Sequence, residues 1–492
     1  MRVPRPVVAL PLLLGATVAA CAGPAPAAAG PEPAHPSEPA ARPEPAPLAP
    51  SGPVYVPELV RAGLADGRAF ELLGELCTVA PHRLSGSEGA ARAVEWGRAT
   101  MLALGLENVR LEPVRVPHWE RGELEELVVV EPAAHAGERL PILALGGSVA
   151  TPAGGTQAEV IAVTSFEELA QRAAEAAGKL VLFRRPMDRT QLEPFAAYGG
   201  AVNQRSSGAV EAARAGAVGA LVRSMTMLQD DEPHTGALRY AEGVPQLPAA
   251  AVSTNASDRI GGWLDAGQRV VLRLSLACRT LPDAPSHNVV GEVVGRERPE
   301  EIVLIGAHLD AWDVGQGAHD DGAGCVHALE AARILRVSPL GRPRRTVRVV
   351  LYMNEENGVR GGAAYRDAHR DALDRHVLAI ESDRGGFVPI GYTSDAHGPA
   401  AELLARLFGG APARRGSGVD IAPLAEGGVP LAGFLPDAQR YFDVHHSRHD
   451  VLAAVHPREL QLGAISLASM AWLAAEHPGE WPRDDSPREA RR

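Results

Sequence analysis

Between Asn288 and Glu476, apolar runs of strand length alternate with stretches of helical spacing, and this alternation restricts the fold more than any other feature. Residues 301–306, 346–353, 376–381 and 429–434 are short, nearly continuous apolar runs, as expected of strands buried on both faces. Between and after them, residues 323–337, 361–369, 399–408 and 458–476 read as helices. Strand and helix in alternation build a largely parallel sheet covered on both sides, an α/β/α sandwich. Such sheets bind ligands beyond the carboxyl ends of their strands. His308, the pair Glu355-Glu356 and Asp383 each stand just past a predicted strand end. Three strands therefore carry polar clusters to one edge of the sheet.

The polar clusters are dense. His308, Asp310, His319, Asp320 and Asp321 fall within one short segment, and Glu381, Asp383, His445 and His446 follow downstream. Buried carboxylates and imidazoles in that number repel one another or stay unsatisfied unless a cation gathers them. The economical reading is a hydrolytic site holding two metal ions. Standing alone, a Glu-Glu pair is ordinarily a solvated helix start; after an apolar strand and Asn354, a site role is the better reading. Asp321 suits either a helix cap or a metal contact. His319 reads as a surface residue, His327 and Cys325 as buried structural ones. No His-Glu-x-x-His helix is present, which excludes a thermolysin-type single-zinc site. Gly416-Ser417-Gly418 lacks the strand–elbow–helix setting of a serine nucleophile.

The formal charge of −12 and the absence of a basic stripe argue against nucleic acid as a partner. Residues 1–21 read as a signal segment, with Arg2 and Arg5 ahead of an apolar run too short to span a bilayer comfortably. Val18-Ala19-Ala20-Cys21 resembles a bacterial lipoprotein cleavage box, which would anchor the protein by lipid on Cys21. Ordinary cleavage near Ala20 or Ala22 is the alternative, giving a periplasmic or secreted protein; both imply export. Residues 22–55 form an Ala/Pro-rich tether. Residues 56–131 and 286–480 read as two parts of one catalytic domain, 132–285 as a β-rich insert with few helices, and 481–492 as a frayed tail. Residues 109–130 look like a β-hairpin. Three cysteines remain after Cys21, and Cys77–Cys278 is the pairing an oxidising compartment would allow. An aromatic content of 4% speaks against a large aromatic specificity pocket.

The segments AHLDAWDVGQGAHDDGAG, NEENGVRGG, ESDRGG and YFDVHHSRHD, in that order, resemble the dizinc exopeptidases that include bacterial leucyl aminopeptidases and glutamate carboxypeptidases. The insert, with GKLVLF, ARAGAVGALV and PQLPAAAVS, resembles a protease-associated domain. The resemblance spans roughly Pro57 to Glu476. It implies two zinc ions per chain, His308 and Asp383 holding one, Glu356 and His446 the other, and Asp320 bridging both. Two ions about 3.5–4 Å apart share a hydroxide and polarise the scissile carbonyl. By the same resemblance Glu355 is the general base, Asp310 orients His308, and the 320–321 peptide is cis. His445 and Asp420 are implied as substrate contacts, His445 at the carbonyl and Asp420 at a free terminus. The substrate would be a dipeptide or short peptide, and a homodimer is implied. Aminopeptidase and carboxypeptidase-like action both stay open. So do two other uses of the scaffold, a non-catalytic binding protein and a glutaminyl cyclase-type transferase.

Overall fold

The computed structural model describes residues 49–484, so the signal segment, Cys21 and the last residues of the tail lie outside it. Seven strands form the main sheet: β1 (Glu107–Glu120), β2 (Arg279–Val293), β3 (Arg298–His308), β4 (Arg345–Tyr352), β5 (His376–Glu381), β6 (Pro389–Ser394) and β7 (Leu431–Pro436). Their order is β1-β2-β4-β3-β5-β7-β6. The central strands β4, β3, β5 and β7 run parallel. Their side chains alternate as a two-residue period requires. Val303, Ile305 and Ala307 face the helices Ala323–Val337 and Pro457–Glu476 in one core. Ile302 and Leu304 face the other core, with Tyr365 of the helix Arg360–Ala368 and Leu424. The sandwich expected from the sequence is therefore present, with helix and strand boundaries close to the periodic segments.

Register sets the site. His308 pairs with Tyr352 across β3 and β4, and Gly306 pairs with Glu381 across β3 and β5. Two residues on from Gly306 is His308, and two on from Glu381 is Asp383. The parallel ladder therefore brings His308, Asp383 and the turn after Tyr352 to one level.

The segment 109–130 is not a hairpin. β1 pairs with β2, ending at Glu120 opposite Arg279, while Glu125–Glu131 joins a second sheet. Gly122, at φ +78, redirects the chain between them. Arg121 anchors this exit, reaching Asp313 at 2.8 Å through Nε. Two adjacent runs of period two mimic a hairpin, but they do not pair with each other: the first pairs with the distant β2, the second with Val271–Leu276 and the short Arg139–Leu140. The second sheet has eight strands, and the chain passes between sheets at 121–124 and 277–278.

That second unit is also richer in helix than expected. Strands Thr156–Val163, Leu180–Phe183, Gly219–Arg223 and Ala249–Val252 run parallel, and parallel neighbours need crossovers. Short helices such as Phe166–Gln171 and Gly208–Arg214, and the longer Thr254–Asp265, supply crossovers or cover. The shortest, Ala173–Ala176 and Asn203–Ser206, span four residues each and carry little periodic signal. The described residues fall in one compact unit, so both sheets belong to one body. Cys77, Cys278 and Cys325 are all buried and free; Cys77 and Cys278 lie in separate cores, and the disulfide does not form. The start of the tail is docked, since Trp481 is buried and Asp484 N donates to Gly428 O at 2.9 Å. Among the described residues no helix is long and apolar enough to cross a membrane.

Candidate metal centre

Asp320 is the hub. Its Oδ1 lies 3.2 Å from His308 Nε2, and its Oδ2 lies 3.3 Å from His446 Nε2. His308 Nε2 is also 3.5 Å from Asp383 Oδ1, and His446 Nε2 is 3.1 Å from Glu356 Oε2. Two sets of nitrogen and oxygen atoms thus share one carboxylate. Asp320 Oδ2 and Glu356 Oε1 are buried without a hydrogen-bond donor among the described residues. Orphaned buried lone pairs beside imidazole nitrogens are what a pair of divalent ions would satisfy. Zinc fits this donor chemistry.

Protonation tells the same story. Burial pulls the His446 imidazole down, yet Glu356 and Asp320 reverse this and hold it at about 9. His308 is likewise held well above its ordinary value, burial being outweighed by Asp383 and Asp320. Burial, with Asp320 beside it, lifts Glu356 to about 7.

Each ligand has an anchor. The 320–321 peptide is cis, as the resemblance implies. Asp321 faces away from the cavity: Oδ1 accepts from Gly324 N at 3.0 Å, capping the helix Ala323–Val337, and Oδ2 accepts from His308 N at 3.2 Å. Its proximity to His308 and Asp383 makes it a third geometric candidate for a metal. Its oxygens are already committed to backbone N–H groups, so capping is the better reading. Asp310 meets the second ring nitrogen of His308, as the resemblance implies, but through its backbone carbonyl. His308 Nδ1 donates to the carbonyl of Asp310 at 2.9 Å, whereas the carboxylate Oδ1 stands 4.0 Å away. That carboxylate instead accepts from Asn354 N at 2.7 Å and Glu355 N at 3.1 Å. Asp310 thus joins the His308 strand to the turn that presents Glu355 and Glu356.

A cavity of about 1100 Å³ opens over these groups, lined on the metal side by Asp320, Glu355, Glu356, Asp383, His445 and His446. Burial, opposed by His308 and reinforced by Asp383 and Glu356, lifts the Glu355 carboxyl well above the carboxylate range. His445 stacks on His446 at 3.5 Å, and its Nδ1 has no partner among the described residues. Asp420 is not a cavity residue. It is fully buried, and Val419 beside it, in the turn that leads into Ala422–Gly427, lines the cavity instead. Glu381 holds that loop, accepting from Val419 N at 2.8 Å and Ile421 N at 2.9 Å.

Two further expectations change. His319 is buried, stacked on Phe387 at 4.4 Å, with Nδ1 accepting from Gly386 N at 3.1 Å. Burial holds it neutral, at about 4. The scarce aromatics are concentrated on the cavity wall, where Trp119, Phe195, Tyr198, Tyr441 and Phe442 stand, so bulk composition misled. Several residues that position the site escaped the sequence reading. The buried Arg83 guanidinium donates to Leu309 O at 2.7 Å and Gly317 O at 2.7 Å, and also to Gln316 O. Asp450, matched in the motif but given no task, accepts from His319 N at 2.6 Å and Asp320 N at 3.1 Å. The one signal for Arg83 was a charge between His82 and Leu84 just before a helix.

Relatives share this arrangement of chain. The sequence profile of peptidase family M28 matches residues 288–470. Carboxypeptidase Q of Bos taurus is 37% identical over 428 residues, covering 86% of this chain and 88% of its own. The chain belongs to peptidase family M28. As a member it is a zinc metallopeptidase. A solved M28 peptidase precursor from Shewanella amazonensis superposes with a TM-score of 0.82 at 34% identity, covering 87% of this chain and 98% of its own. A zinc aminopeptidase from Bacillus subtilis gives 0.59 at 18% identity, covering 85% and 97%, a likeness of fold.

Proposed function

We propose that the protein is an exported exopeptidase that hydrolyses dipeptides or short peptides at a two-zinc centre. The observation that carries this reading is Asp320 set between two imidazole–carboxylate pairs. His308 and Asp383 would hold one ion, Glu356 and His446 the other, with Asp320 shared. Zinc bound there supplies Lewis acidity and lowers the pKa of water. Glu355 lines the cavity next to Glu356 and takes the proton from the attacking water, then passes it to the leaving amine. Asp310 sets where that carboxylate stands, through the Glu355 amide. The second sheet, read as a protease-associated domain, roofs the cavity with Phe195, Tyr198 and Arg205.

One observation favours a carboxypeptidase-like direction. Arg384, next to the ligand Asp383, lines the cavity with its guanidinium 4.3 Å over the Phe195 ring. Among the described residues it has no hydrogen bond or ion pair. An unpaired guanidinium in a half-buried wall suits the carboxylate of a substrate terminus. The direct test is hydrolysis of a free dipeptide, its N-acetylated form and its C-amidated form, with and without chelator. Chelator-sensitive cleavage of the free dipeptide that is lost on amidation fits this reading. Loss on acetylation alone makes it an aminopeptidase. Metal-loaded protein that cleaves no peptide sinks the hydrolase reading, and release of pyroglutamate in its place would mean a cyclase.

A further inference from the structure

The two imidazoles of the centre are held in different ways. His308 is fixed from within the main sheet, its Nδ1 donating to the carbonyl of Asp310 two residues on. His446 is fixed from the other sheet. Its Nδ1 lies 3.3 Å from the carbonyl of Thr235, in the loop between the strands Gly219–Arg223 and Ala249–Val252. The same turn grips the adjoining backbone twice more. Thr235 N donates to His446 O at 2.9 Å, and His234 Nδ1 donates to His445 O at 2.7 Å. These contacts are buried, where a hydrogen bond is stronger and an unpaired group costs more.

The turn is itself tied down inside the second sheet. His234 N donates to Ser224 Oγ at 2.8 Å, Thr235 Oγ1 to Ala144 O at 2.7 Å, and Gly146 N to Gly236 O at 3.0 Å. It is therefore a rigid mount. The mount has work to do, because His446 sits at φ +59, a left-handed conformation that side chains other than glycine rarely adopt. Such backbone persists where the surroundings over-determine it.

Tautomer is the second consequence. An imidazole that binds metal through Nε2 must carry its proton on Nδ1. Two groups approach His446 Nδ1: the Thr235 carbonyl at 3.3 Å and Arg205 Nη1 at 3.4 Å. A guanidinium can only donate. Of the two only Thr235 accepts, and against the Arg205 donor it favours the proton on Nδ1 that leaves Nε2 bare toward Asp320 and Glu356.

We infer that the turn His234-Thr235-Gly236 of the second sheet is a positioning element of the metal centre. It orients His446 and so governs the ion held by Glu356 and His446, while the ion at His308 and Asp383 is independent of it. His234 is the positioning residue open to substitution, since the other contacts of the turn to 445–446 use backbone. The inference rests on the two-ion reading above.

The test is zinc titration by calorimetry on the metal-stripped mature chain, wild type beside His234→Ala and His234→Asn. In the alanine variant one ion should bind as in wild type and the other about ten- to a hundredfold more weakly. Asparagine places an amide N–H where Nδ1 stood and should restore the second ion. Two unchanged affinities in His234→Ala would overturn the inference. So would equal weakening of both ions with a lowered melting temperature, which marks general loosening. If wild-type protein does not bind two ions, the two-zinc reading fails first, and the variants are not what failed.

Discussion

Replacing Arg83 by methionine should unsettle the centre without touching a ligand. The side chain is fully buried, and it donates to three carbonyls of the loop that runs from His308 to Asp320. The carbonyls are not equally dependent on it. Gly317 O also receives Gly322 N at 3.0 Å, and Gln316 O has only the weak Cys77 thiol at 3.9 Å besides. Two carbonyls are therefore left without a good donor, at about 1–3 kcal/mol each. Removing a buried cation with no carboxylate on it returns part of that. A net loss of about 3 kcal/mol follows, a large part of the 5–15 kcal/mol typical of native stability. Arg83→Lys keeps one charged donor and should lose about half as much. Urea unfolding of the metal-free protein reads this as a lower midpoint at unchanged slope. Zinc affinity should fall as well, because the loop joins His308 to Asp320, the proposed terminal and shared ligands. A midpoint shift worth less than about 0.5 kcal/mol, the level of an ordinary surface change, would refute the reasoning.

Other outcomes follow from the same geometry. Glu355→Gln should retain both ions, by elemental analysis, yet lower turnover by about 10²–10⁴. Zinc affinity should fall with pH, steeply below about 7, because Glu356 at about 7 and His446 at about 9 must lose protons for the ion to bind. Protons and zinc compete for the same lone pairs, so acid favours the proton; calorimetry in buffers of different ionisation heat should show proton release, and affinity constant from pH 6 to 8 would count against the cluster. Arg384→Gln should lower kcat/KM for a free dipeptide about ten- to a hundredfold while leaving its C-amidated form unchanged. Equal losses on both would make Arg384 a strut between the sheets.

What was readable in the chain followed from periodicity. The apolar runs of β3, β4, β5 and β7 announced buried parallel strands, and the polar residues at their ends announced the site. His308, Asp320, Glu356, Asp383 and His446 were singled out by motif, and the structure brings all five together. Long-range pairing was not readable: β1 meets β2 across the whole second sheet, and nothing local to 109–130 says so. Nor was the direction of single side chains in loops. His319 and Asp420 lie in polar segments yet point inward. Arg83, Asp450 and the 234–236 turn act through backbone carbonyls and amides, which every residue carries. No residue type marks such a contact in advance.

The proposed sharing of Asp320 by two zinc ions is open to direct observation. Anomalous scattering at the zinc edge, from crystals of the zinc-loaded protein, tests it most directly. Two peaks should flank Asp320, one against His308 and Asp383, the other against Glu356 and His446. A single peak, or peaks away from these residues, would contradict it.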